Sequence, residues 1–253
     1  HSDCIPFGSA LFQCKHFYRR CFELIKIKNL TVKYPDGTEA LRSLDLAVNE
    51  GESIALMGSN GAGKSSLLLA ITGIAPYADG EIYVDDILLS KKTVADVRQR
   101  VGMIFQDPDD QLFMPSVFDD VAFGPRNKGL DEKETVRVAE SALEELKISH
   151  LSSRVPGKLS GGEKKLAALA GVLAMDPSNL LFDEPAAFLD PGAKRRLISL
   201  VRGLDHTKII ATHDGDIARQ LCSRVIILKK GSLSYDGTPD ILDDLSALEK
   251  YGL

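Results

Sequence analysis

Between residues 24 and 34 apolar and polar positions roughly alternate, with Ile25, Ile27, Leu30 and Val32 apolar, and a period of two predicts a half-buried strand. Pro35-Asp36-Gly37 then supplies a turn, and Leu44, Leu46 and Val48 resume the alternation before a second turn at Asn49-Glu50-Gly51. The opening of the chain therefore predicts antiparallel β-structure. Residues 53–57 are more uniformly apolar, as expected of a strand in a sheet covered on both faces, and lead through a glycine-rich stretch into a helical pattern over 65–72.

The character changes between residues 106 and 175. Residues 131–147 predict an amphipathic helix with Val136, Ala139, Ala142, Leu143 and Leu146 on one face and Asp131 with Glu134 as a capping box. A second helix is predicted from about Gly162 to Met175. Strand patterns return at 180–182, 209–212 and 225–228, with helical stretches between the first pairs, as parallel β/α/β winding requires.

At 253 residues the chain suits one sizeable core with an inserted subdomain better than two independent large domains. A formal net charge of -5 argues against a dedicated nucleic-acid binder, so no nucleic-acid partner is expected. Apolar runs such as 67–70 fall far short of the roughly 20 residues that span a bilayer, so any membrane role must come through a partner. Cys4, Cys14 and Cys21 crowd the first segment and Cys222 stands apart; without CxxC pairs they predict a reduced, cytoplasmic protein. In residues 1–22 the apolar positions are broken up by Lys15, His16, Arg19 and Arg20, which leaves no signal-peptide core, and the first methionine is Met57. This segment is expected to be an appended, processed or disordered leader.

Gly58-Ser59-Asn60-Gly61-Ala62-Gly63-Lys64-Ser65, followed by Ser66, fits G-x-x-x-x-G-K-[ST] after a predicted strand and before a predicted helix. The glycines let backbone N–H groups converge on phosphate oxygens and the helix N-terminus adds positive potential. Lys64 is placed to reach the β- and γ-phosphates and Ser65 to ligate Mg²⁺. The expected fold is α/β: a P-loop NTPase (RecA-like) core with an N-terminal antiparallel β subdomain and an inserted α-helical subdomain at about 107–175.

Leu180-Leu181-Phe182-Asp183-Glu184 presents two acids at the tip of an apolar strand. By itself such a pair is commonly a solvated turn. Beside a phosphate loop it offers a carboxylate for the metal, Asp183, and a group to activate water, Glu184. Leu159-Ser160-Gly161-Gly162-Glu163 reads first as a helix N-terminus, Ser160 and Glu163 matching a capping box. It is also a second glycine-rich anion site, and one nucleotide has little need of both unless two chains meet around it.

Together these motifs resemble those of ABC ATPases, and the resemblance covers about residues 23–240 as a single domain, leaving 241–253 as a short C-terminal tail without a regulatory domain. It implies further roles in order. Tyr34 looks like the aromatic that stacks on adenine, although an isolated strand tyrosine is unremarkable. Gln106 looks like the loop glutamine that contacts Mg²⁺ or the attacking water. Asp190, in Leu189-Asp190, resembles the loop at the dimer seam. His213 resembles the switch histidine that contacts the γ-phosphate, whereas a lone histidine after a buried strand is more often structural. The implied catalytic set is Glu184, His213 and Lys64, and the implied metal set is Ser65, Gln106 and Asp183. Ser160, Gly161 and Gly162 would close over the nucleotide of a second ATPase subunit, identical or paralogous.

Gln106-Asp107-Pro108-Asp109-Asp110-Gln111-Leu112-Phe113, with the stretches 35–41, 120–125 and 170–175, is similar to the energy-coupling-factor group and in particular its cobalt/nickel-type ATPases. That resemblance implies an ATP-hydrolysing subunit peripheral to the cytoplasmic face of the cell membrane. Its partners would be an integral membrane coupling protein and a substrate-binding membrane component, and the solute cobalt, nickel or a vitamin. Glu163 replaces the commoner glutamine, and Ala186-Ala187-Phe188 replaces the usual Thr-Ala-Gly. The competing expectations are a soluble ABC ATPase of DNA repair or translation, and a P-loop GTPase or kinase. Against the last, Asn127-Lys128-Gly129-Leu130 lacks the aspartate of a guanine-specific N-K-x-D.

Overall fold

The computed structural model describes residues 23–252; the leader expected over 1–22, with Cys4, Cys14 and Cys21, lies outside the described residues. The chain runs β1 (Glu23–Lys33), β2 (Glu39–Asn49), β3 (Ser53–Met57), α1 (Lys64–Ile71), β4 (Asp79–Val84), β5 (Ile87–Leu88), α2 (Val94–Arg100) and β6 (Val101–Ile104). It continues as α3 (Val117–Asn127), α4 (Glu132–Glu145), α5 (Gly161–Leu173), β7 (Asn179–Asp183), α6 (Pro191–Gly203), β8 (Thr207–Ala211), α7 (Gly215–Leu221), β9 (Arg224–Lys229), β10 (Ser232–Gly237) and α8 (Leu245–Tyr251).

The alternation in residues 24–48 produces an antiparallel pair, β1 with β2, which β4 and β5 extend into a sheet of order β2-β1-β4-β5. A second sheet has the order β10-β9-β3-β8-β7-β6, in which β9, β3, β8, β7 and β6 run parallel and β10 closes one edge antiparallel. Its central strands are buried on both faces, which is why they read as unbroken apolar runs. Alternate residues serve two cores. Ile54, Leu56, Leu181, Ile209 and Ile226 face the antiparallel sheet and α1, whereas Ala55, Leu180, Phe182, Ile210 and Val225 face the helices α3 to α7. The fold is thus the expected α/β P-loop architecture, with every residue between β6 and β7 in helices, turns or loops.

Two local details differ from the pattern in the sequence. On α4 the Asp131 side chain does accept from the Glu134 backbone, but the buried face is Thr135, Ala139, Ala142 and Leu143, with Val136 half-buried. Glu134 turns outward to Arg137 rather than back to the helix start. Residues 241–252, expected as a tail, complete a 3₁₀ turn and then form α8, which lays Leu248 and Tyr251 on the core beside Tyr235.

Candidate functional site

The strand order decides where the motifs meet. β3, β8, β7 and β6 are consecutive neighbours in a parallel sheet, so their carboxyl ends lie side by side. The phosphate loop follows β3, His213 follows β8, Asp183 and Glu184 end β7, and Gln106 follows β6. One cleft is lined by Tyr34, residues 60–66, Gln106, Asp183, Glu184 and His213.

The loop over 58–65 can close because its glycines have no side chains. Gly63, at φ 108°, would press a Cβ to 2.5 Å from the Ala40 carbonyl oxygen and 2.7 Å from Leu41 Cδ2. A Cβ on Gly58 would come to 2.4 Å from the Leu228 carbonyl oxygen. Gly63 also stands at the N-cap of α1 and gives no side-chain cap, so the first-turn N–H groups point to the cleft without the usual side-chain acceptor. Lys64 is buried beneath the loop, its Nζ donating to the carbonyl oxygens of Gly58 at 2.7 Å and Ser59 at 3.3 Å. The Tyr34 hydroxyl hydrogen-bonds Ser66 Oγ at 3.1 Å, which holds the ring at the rim of the same cleft.

Asp183 is buried, and its Oδ1 has no hydrogen-bond partner. Burial pushes its carboxyl above the ordinary range, against the pull of the Ser65 hydroxyl that hydrogen-bonds it. A buried carboxylate oxygen without a donor, next to a serine hydroxyl and within the cleft that holds Gln106, is an all-oxygen donor set suited to Mg²⁺. Glu184 has φ 46°, an uncommon conformation for a non-glycine residue, and its N–H is held by the Ala211 carbonyl at 2.9 Å. Its Oε2 lies 2.9 Å from His213 Nδ1; the glutamate side chain is 13% exposed and the imidazole 70%. A shielded carboxylate steadied by an exposed imidazole can take a proton from water and keep its orientation while doing so.

The remaining expected residues sit outside that cleft. Ser160 caps α5 in a complete capping box: the Glu163 carboxylate accepts from Ser160 N at 2.8 Å and Ser160 Oγ at 2.7 Å, and the serine hydroxyl accepts in turn from Glu163 N. Glu163 is thereby turned back onto its own helix, and the Ser160 donors hold its carboxyl below the usual range. Gly161 is exposed beside it. Gly162 packs so near α6 that a Cβ there would come to 2.9 Å from Ala193 Cβ. Asp190 caps α6, accepting from Gly192 N and Ala193 N at 2.7 and 3.0 Å. Between Glu184 and Asp190, Phe188 is 94% exposed at φ 63°.

Sequence reasoning missed Lys165. On α5 it is 3% exposed, and its Nζ donates to the carbonyl oxygens of Gln106 and Glu184. Burial lowers its pKa, while Asp107, Glu184 and Asp183 oppose the shift. A lysine is almost never fully buried unless it is paired, so residue type pointed away from it, although its spacing from Ala168, Leu169 and Val172 puts it on the apolar face of α5. The insertion between β6 and β7 also carries a groove in which Phe113 (64% exposed) and Phe123 (39% exposed) meet edge to face at 5.0 Å. Asp120 lies beside them; its Oδ1 accepts from Phe113 N and Met114 N, and its Oδ2 has no partner.

Comparison with known proteins agrees with this geometry. The family profile described as ABC transporter matches residues 41–187. A putative ABC transporter ATP-binding protein of Geobacter sulfurreducens is 48% identical over 227 residues, 88% of this chain and 91% of that protein. The energy-coupling factor transporter ATP-binding protein EcfA of Methanothermobacter thermautotrophicus is 44% identical over 237 residues, 91% of this chain and 76% of its own. Among solved structures, cbiO1 of Clostridium perfringens, part of the ABC transporter complex cbiONQ, superposes with a TM-score of 0.80 at 37% identity, covering 90% of this chain and 94% of that one. The cassette MJ0796, in a dimeric post-hydrolysis state with ADP and Pi, superposes with a TM-score of 0.76 at 28% identity over 85% of this chain and 98% of that one. A phosphate loop, a buried strand-end carboxylate and a capped glycine-rich helix start, assembled on this sheet, therefore make the chain a member of the ABC transporter ATP-binding family, an ATP-hydrolysing subunit of the energy-coupling-factor type.

Proposed function

We propose that the cleft grips Mg-ATP through Lys64 and the backbone amides of residues 58–65, with Tyr34 stacking on adenine and Ser65, Asp183 and Gln106 holding the metal. Bound there, Mg²⁺ neutralises charge on the transferring phosphoryl group. Glu184 takes a proton from the water whose oxygen attacks the γ-phosphorus, and the bond to the ADP oxygen breaks in line. His213 steadies the Glu184 carboxylate through Nδ1, and its ring is largely exposed, free to contact the γ-phosphate of a bound nucleotide. The observation that carries this reading is the consecutive order of β3, β8, β7 and β6, which lines up the grip, the histidine, the two acids and the glutamine.

Ser160, Gly161 and Gly162 lie outside the chain's own cleft, and MJ0796 cassettes are dimeric. Two subunits, identical or paralogous, then meet head to tail, each closing its 160–162 turn over the other's nucleotide. The groove with Phe113 and Phe123 suits the apolar face of an amphipathic helix of an integral membrane coupling protein. No described helix is long and apolar enough to cross a membrane. Attachment through this groove would hold the subunit peripherally at the cytoplasmic face, the location that the sequence resemblance implies. The transported solute is cobalt, nickel or a vitamin, the class that the sequence resemblance implies, delivered to a separate membrane component.

The test is Glu184→Gln. Nucleotide affinity should be retained, turnover should fall about 10²-fold or more, the usual scale for a lost general base, and Mg-ATP should drive the variant into a dimer on gel filtration. Undiminished turnover would remove Glu184 from the reaction.

A further inference from the structure

Lys165 is a buried cation that takes no part in the phosphate grip. An ammonium out of water costs several kcal/mol unless it is paired and hydrogen-bonded, and a methionine of similar length would fill the same space without that cost. Its two acceptors are the backbone oxygens of Gln106 at 2.7 Å and Glu184 at 3.3 Å. These residues follow two different strands, β6 and β7, and each begins a loop. Glu184 is moreover held in a left-handed conformation that the surrounding structure must enforce.

The helix that carries Lys165 begins at Ser160, five residues earlier. α5 is further joined to the Gln106 loop by Lys164, whose Nζ donates to both Asp109 oxygens at 2.6 and 2.8 Å. The Lys164 pair reaches the outer part of that loop; of the two lysines, Lys165 is the one hydrogen-bonded to both segments that line the cleft.

We infer that Lys165 is a positioning residue, its ammonium tying the Gln106 and Glu184 backbones to the start of α5. A shift of the 160–162 turn, the part that faces a second subunit's nucleotide, then moves the carboxylate that readies water in the chain's own cleft. The inference rests on the assignment of Glu184 made above and adds a route by which one nucleotide site senses the other.

A double-mutant cycle in the full chain tests it: wild type, Lys165→Met, Glu184→Gln and the pair, each measured for melting temperature, affinity for a fluorescent ATP analogue with Mg²⁺, and single-turnover hydrolysis. Lys165→Met should keep nucleotide affinity within about threefold and lose about 10- to 10²-fold in rate, the scale of an ångström's misplacement. The pair should be no slower than Glu184→Gln, because a residue acting through Glu184 has nothing left to position. A lysine that serves packing alone would slow both backgrounds by the same factor, and that outcome overturns the inference. Should Lys165→Met fail to fold, Lys165→Gln, which keeps a donor, goes through the same cycle. Full turnover in Glu184→Gln by itself would sink the parent assignment; a normal loss there with a multiplicative cycle sinks the lysine tie alone.

Discussion

Glu163 offers a quantitative test, because it stands where this family more often has glutamine and the structure shows what its charge does. The carboxylate accepts from the Ser160 backbone at 2.8 Å and hydroxyl at 2.7 Å, completing the capping box of α5. Truncation in Glu163→Ala leaves the Ser160 N–H without its acceptor, and losing such a cap costs about 1 kcal/mol. In a domain of this size that lowers the melting temperature by about 2–4 °C. Glu163→Gln keeps an acceptor oxygen in the same place and should cost less than about half as much, with turnover within about threefold of wild type. The pH dependence has a definite sign. The folded-state pKa of Glu163 is depressed by the Ser160 donors, so the charge-dependent part of this stability is complete above the unfolded pKa and disappears as pH falls through the folded value. Thermal melts at pH 7 should separate the three proteins and melts in acid, below the ordinary glutamate range, should bring wild type and Glu163→Gln together. Equal melting of wild type and Glu163→Ala at pH 7, or a Gln variant as weak as Ala, would refute the cap as the carboxylate's role.

Two further expectations follow from the site. Asp183→Asn removes a buried charge that has one oxygen unpartnered, so the free chain should melt no lower than wild type while the Mg²⁺-dependence of nucleotide affinity disappears; a large loss of stability with intact Mg²⁺-dependence would contradict the metal assignment. Phe188→Gly removes a nearly fully exposed ring from a left-handed residue. Relief of about 1–2 kcal/mol of strain, less about 0.4–1 kcal/mol of added unfolded-state entropy, should raise the stability of the isolated chain slightly in denaturant titrations, and a clear drop would mean that Phe188 has a packing role its exposure hides.

Much of this protein was legible in one dimension because its determinants are local. The phosphate loop needs glycines at fixed offsets before a helix, the start of α5 needs a serine and an acid three residues apart, and β1 and β2 need alternation; each requirement is met by neighbours in the chain. β4, β5, α2 and β10 were passed over because they are short, edge-located or half-exposed, so their apolar positions are too few to show a period. On α4 the pattern pointed to Val136, but burial chose Thr135, whose position relative to α3 and α5 no window of residues 131–147 contains.

Residue type and spacing thus determined which groups this chain offers for the proposed phosphate grip, metal site and general base. Tertiary structure decided that they line one cleft: the order β3, β8, β7, β6 juxtaposes strand ends as far apart in the chain as Met57 and Ala211. It also turned Lys165 inward to the carbonyls of Gln106 and Glu184. The reason is physical. A capping box or a phosphate loop is satisfied within a few residues, whereas a buried ammonium is satisfied by whichever acceptors packing brings to it, and those are set by the whole fold.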